Sequence, residues 1–117
     1  MKRPLAYITA VWNNDDGDQT IQAARYCRLV YEAGYSPICP ILFMPYFINS
    51  NIPEDHKNGA DIKRDLLRRA HVLVLCGRGA NEEVKDDIAV AARLGIMSTT
   101  LDGILTVKSQ GRPKTRV

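Results

Sequence analysis

Between Asn81 and Asp87 the chain reads Asn-Glu-Glu-Val-Lys-Asp-Asp, with four carboxylates behind a residue type that caps helices. Glu83 and Asp87 are four apart, so a helix stacks them on one face, where like charges repel unless something compensates. At 100° per residue, Asp87 falls between Ala91 and Leu94, at the margin of the apolar arc of Val84, Ile88, Ala91 and Gly95. Asp86 points to the opposite side. A carboxylate at the edge of a buried face costs free energy if left unpaired, so its pKa rises, it finds a partner, or it lines a cleft. Two readings of Asp87 therefore stand side by side. In one it bonds a neighbouring Tyr, Arg or backbone amide; in the other it lines a cleft with a ligand, with Glu83 one turn earlier on the same side.

A second group of polar residues lies near the amino terminus. Tyr7 and Thr9 share one face of the apolar run Leu5 to Val11, and Trp12, Asn13, Asn14, Asp15 and Asp16 follow at the same end. They suit the wall of a polar-ligand site, although a tyrosine in such a run also serves as a core ring and an Asn-Asp cluster as a plain loop. Gly77, in the turn Gly77-Arg78-Gly79, and the cap Asn81 complete the substrate-binding set of Thr9, Trp12 and Asn13. That turn lacks the third glycine of a dinucleotide fingerprint and the Lys-Ser/Thr of a P-loop, so no cofactor is expected. Glu82 and Glu83 oppose a phosphate at the helix start, which favours a neutral sugar or base. His56 and His71 have no ligands at zinc spacing, so no metal site is assigned. Cys27, Cys39 and Cys76 are odd in number and set among apolar neighbours, as buried free thiols are.

These groups need elements to hold them. Leu5 to Val11 reads as a buried strand, and Asp18 caps a helix with Ala23, Tyr26, Cys27, Val30 and Tyr31 on its inner face and a stop at Gly34. Tyr35 to Leu42 reads as an edge strand, because its two prolines cannot donate to a ladder on both sides. Phe43 to Pro53 is a loop, and its apolar start, Phe43 to Phe47, suits either a lid or a subunit contact. Pro53 opens a helix with Ile62, Leu66, Leu67 and Ala70 inward. Val72 to Leu75 is a strand covered on both faces, and Val84, Ile88, Ala91, Leu94 and Gly95 form the packing face and stop of the next helix. Ile96 to Leu101 is the last clear strand, and Asp102-Gly103 leads into either a hairpin or a final short element. Alternation of this kind predicts a three-layer α/β fold, a flavodoxin- or Rossmann-like parallel sheet of four to five strands in the order 2-1-3-4(-5).

At 117 residues, 45% apolar and 25% charged, the chain suits one domain over residues 1–107 with a basic tail over 108–117. Lys108, Arg112, Lys114 and Arg116 account for the net charge of +3; without them twelve basic residues face thirteen acidic ones. A nucleic-acid partner is therefore not expected. No apolar run reaches membrane-spanning length, and no leader pattern follows Lys2 and Arg3, so a cytoplasmic location with no membrane partner is the expectation.

The segments AYITA with Tyr7, AARYCRLVYEAGYSPICPILFMPYF, GADIKRDLLRRAHVLVLCG and NEEVKDDIAVAARLG, in that order, resemble the nucleoside 2-deoxyribosyltransferase superfamily. The resemblance covers about residues 5 to 100 and is closer to a small uncharacterised branch found in bacteria and phages. In that family a carboxylate eight residues before a helix-ending glycine attacks the anomeric carbon of a nucleoside. Asp87 precedes Gly95 by that spacing and takes the nucleophile position, and Tyr7 matches the strand tyrosine that orients it. Asp61 and Asp65 fall near positions the family uses for acidic ligand contacts.

The resemblance implies a nucleoside or nucleotide as ligand, covalent catalysis resolved by water or a second base with Glu83 or a substrate group as the acid or base, and a homo-oligomer with shared sites. The family usually has Glu at the position of Asp87 and Ser-x-Gly at the position of Asn81 to Glu83. A nucleophile shorter by one methylene is expected to cost on the order of a hundredfold in rate. A non-catalytic nucleotide-binding or sensing module on the same fold is the alternative. A third possibility is an accessory protein whose aromatic loop and basic tail bind another macromolecule.

Overall fold

The computed structural model of the chain describes residues 3–12 and 19–107. Its strands are β1 (Leu5–Ala10), β2 (Ser36–Ile38), β3 (Val72–Cys76) and β4 (Met97–Thr100). Between them run the helices α1 (Gln19–Glu32), α2 (Pro53–Arg68) and α3 (Glu82–Leu94). The sheet is parallel throughout, in the order β2-β1-β3-β4, as the alternation of elements predicts. Consecutive parallel strands need crossovers, and the helices supply them on both faces.

Side-chain alternation along β1 and β3 divides the interior in two. Ala6, Ile8 and Ala10 of β1, with Val72, Val74 and Cys76 of β3, face α1 and pack on Ala23 and Val30. Tyr7 and Leu73 face the other way, onto Leu67 of α2 and Val90 and Ala91 of α3. His71 joins the strand starts: its Nδ1 accepts from Leu5 N at 2.9 Å, and its own N–H donates to the Leu5 carbonyl at 2.8 Å. Cys39 and Cys76 are buried and Cys27 is half-buried, all as free thiols. Burial pushes the Cys76 thiol up to about 12, which leaves it protonated and unreactive at neutral pH.

Several local expectations are corrected. The second strand, Ser36–Ile38, is shorter than Tyr35 to Leu42: it accommodates Pro37 at the sheet edge, but Pro40 has no ladder donor and opens a 3-10 turn, Pro40–Leu42. The apolar loop is not wholly irregular: Met44–Tyr46 forms a second 3-10 turn that buries Met44. Of the two continuations the sequence allows after β4, the final short element forms, as helix over residues 101–107, with Thr100 Oγ1 accepting from Gly103 N at 2.9 Å and Leu101 and Ile104 buried on the α1 side. Two helix faces are narrower than the periodicity suggests. Tyr31 is 47% exposed under the guanidinium groups of Arg3 and Arg28, and Leu94 is 43% exposed while Val90 takes the inward place. The predicted cap Asp18 and the tail lie outside the described residues.

Candidate functional site

The start of α3 follows from local chemistry. Asn81 Oδ1 accepts from Val84 N at 2.9 Å, Glu82 and Glu83 sit at the positive end of the helix, and Gly95 closes it in the left-handed region at φ 74°. Val84 and Ala91 anchor its inner face, which sets the rotation of the carboxylates. Asp87 is then turned toward the sheet, and Thr9 Oγ1 of β1 donates to its Oδ2 at 2.8 Å. Asp86 pairs with Arg64 of α2 at 3.6 Å, beside but outside the cavity that Thr9 and Asp87 line.

These residues share a cavity of about 340 Å³, at the carboxyl ends of the first two strands. That volume is ample for a small molecule, and the position is where doubly wound sheets bind ligands. Tyr7, Thr9 and Trp12 line one wall, Glu83 and Asp87 another, and Pro40, Ile41 and Met44 a third. Met44 can approach α2 because residue 59 is glycine; a Cβ there would lie 3.2 Å from Met44 Cε. Trp12 rests against Tyr26, ring centroids 6.1 Å apart and tilted by 47°.

Electrostatics at this wall is uneven. Burial raises the pKa of Asp87 above the usual carboxylate value, the Thr9 hydrogen bond opposes that rise, and among the nearby charges Glu83 and Asp86 add to it while Lys63 opposes it. Burial, reinforced by the charges of Asp87 and Glu83, pushes the Tyr7 phenol well above its ordinary range, which keeps it a neutral donor. Lys63 Nζ donates to Glu83 Oε2 at 2.8 Å, so a cation stands beside the carboxylates.

Of the predicted site residues, Tyr7, Thr9, Trp12, Glu83 and Asp87 converge on the cavity. Asn81 shapes the site only by capping α3, and Gly77 ends β3 at φ 75° with Tyr26 Oη 2.8 Å from where a Cβ would stand. Neither lines the cavity. Asp61 and Asp65 are a clear departure: both are exposed on α2 away from the cavity, and Asp65 binds Arg68 at 2.7 Å. They precede Leu67 by six and two residues, which at 100° per residue places them about 120° and 160° from that buried side chain. Asn13 lies outside the described residues. Lys63 was missed, although its phase only about 40° from Leu67 marks it as a charged residue within the inward stripe. Among the described residues no three His, Cys, Asp or Glu side chains group as metal ligands, and no helix is long and apolar enough to cross a membrane.

No curated protein matches the chain. A family model described as a domain of unknown function, DUF7768, matches residues 4–101, which span all four strands and every residue of the cavity wall named above. The chain belongs to the DUF7768 family.

Proposed function

We propose that the chain cleaves or exchanges the N-glycosidic bond of a nucleoside or nucleotide, with Asp87 as nucleophile, in the manner of the nucleoside 2-deoxyribosyltransferase-like proteins it resembles. The observation that carries this reading is the Thr9 to Asp87 hydrogen bond at the cavity wall, which holds Oδ2 and, among the described residues, leaves Oδ1 for attack. Oδ1 gives an electron pair to the anomeric carbon as the C–N bond breaks. The bonding pair leaves on the base nitrogen, which takes a proton from solvent or from a neighbouring acid. Water or the nitrogen of a second base then opens the glycosyl ester, loses its proton and restores the carboxylate. Positive charge developing on the sugar is stabilised by Glu83 and Asp87 together. Glu83, on the same wall, stands where it can relay the proton, and Trp12 offers an aromatic face for the base. Tyr46, 87% exposed, with Phe43 and Phe47 beside it, supplies an apolar surface for a homo-oligomer, which light scattering would reveal as a mass above the monomer.

The test is base release from a panel of nucleosides and their 5′-monophosphates. Release that falls at least about a thousandfold in Asp87→Ala, with melting behaviour retained, supports the nucleophile. One observation favours the second reading, a binding or sensing module: burial draws Asp87 toward its protonated form, which donates hydrogen bonds well and attacks poorly. Ligand-induced stabilisation without turnover, unchanged in Asp87→Asn, would select that reading.

A further inference from the structure

Two helices face each other across the cavity mouth with unequal charge. On α3, Glu83, Asp86 and Asp87 occupy neighbouring positions; on α2, Lys63 and Arg64 face them. Three carboxylates thus meet two cations. Lys63 binds Glu83 at 2.8 Å and Arg64 lies 3.6 Å from Asp86, while Asp87 is bonded to the neutral Thr9 hydroxyl and, among the described residues, to no cation. The cations therefore go to the flanking carboxylates.

We propose that Lys63 is a positioning residue for Asp87: by holding Glu83 against α2 it offsets the nearest like charge while leaving Asp87 unpaired and open to a ligand. This rests on the reading of Asp87 as a nucleophile, which must be ionised and yet free of a salt bridge to attack. Lys63 lines the main cavity and also a smaller one of about 210 Å³ beside it, as Glu83 and Asp87 do. The groups around Asp87 are Tyr7 and Thr9 from β1, His56, Lys63 and Arg64 from α2, and Glu83 and Asp86 from α3. Arg64 is taken up by Asp86, and the cation that lines the main cavity with Asp87 is Lys63. Its removal takes away an attraction and exposes the Glu83 charge, and both effects favour protonated Asp87.

The experiment follows the side-chain carboxyl signals of the full chain, labelled with 13C-aspartate, by NMR across a pH series without substrate, with Asp87→Asn identifying the Asp87 signal. In Lys63→Met the Asp87 midpoint rises by about one pH unit, and in Lys63→Arg it stays near that of the parent. Glu83→Gln moves it the other way, because the like charge is gone and Lys63 is free to turn toward Asp87. An unchanged midpoint in folded Lys63→Met overturns the proposal, as does an equal rise in Lys63→Arg, which would mean that shape and not charge is responsible. If the midpoints move in these opposite directions while the parent chain releases no base from any nucleoside, the glycosidic reading fails and the positioning role of Lys63 stands.

Discussion

On one face of the sheet, Ala6, Ile8, Ala10, Val72, Val74 and Cys76 pack into a wholly apolar layer beneath α1 and the helix over residues 101–107. On the other, the alternate residues of the same strands include Tyr7 and Thr9, which reach the cavity in front of α2 and α3. A step of one residue along β1 moves a side chain from a layer that contributes packing to one that holds a carboxylate in place. The first layer stabilises by removing apolar area from water, about 25 cal/mol per Å². The second keeps a partly desolvated Asp87 next to Glu83, an arrangement that opposes stability at neutral pH.

That contrast can be broken by mutation. The largest stability effect falls on the apolar face: Ile8→Ala, at a side chain only 2% exposed, costs about 3 kcal/mol and lowers the denaturation midpoint, although Ile8 also lines the cavity. An Ile8→Ala chain that keeps its stability would erase the distinction between the faces. Next comes its neighbour. Thr9→Val keeps the shape and removes the donor, so Asp87 loses its hydrogen bond and titrates higher, and base release falls about tenfold or more at neutral pH while the thermal midpoint moves little.

The smallest effect sharpens the comparison through pH. The pKa of Asp87 is raised on folding from 3.8, so its contribution to stability is fully present below that value and is lost as pH rises through the folded value. Asp87→Asn has no proton to lose, so it melts a few degrees higher than the parent at pH 7, and the difference narrows as the pH falls toward 4. A gain in melting temperature that does not vary with pH would place its origin elsewhere.

Much of the fold was legible in the residues. The β-branched run Val72 to Leu75, the proline-bearing edge strand and the cap-to-glycine span Asn81 to Gly95 each carry a local signal strong enough to survive tertiary context. The failures also have local causes. Pro40 shortened β2, and of the hairpin and the final short element that Asp102-Gly103 allows, the helix capped by Thr100 formed, because Leu101 and Ile104 had an apolar layer to cover. The inward phases of Tyr31 and Leu94 marked only the edges of helices whose buried stripes are narrow.

The site divides along the same line. Sequence by itself determined which carboxylate of α3 turns inward, because 3.6 residues per turn and the apolar positions Val84 and Ala91 fix the rotation of Asp87 against Asp86. It also determined that Tyr7 and Thr9 share a face, since strand side chains alternate. Only the tertiary structure decided that Thr9 meets Asp87 across 78 positions, that Lys63 goes to Glu83, and that Asp61 and Asp65 remain outside. Periodicity defines the direction of a side chain relative to its own element. The distance between two elements depends on how their buried faces pack, and that is settled by Gly59, Met44, Leu67 and Ala91 acting together once the chain has closed.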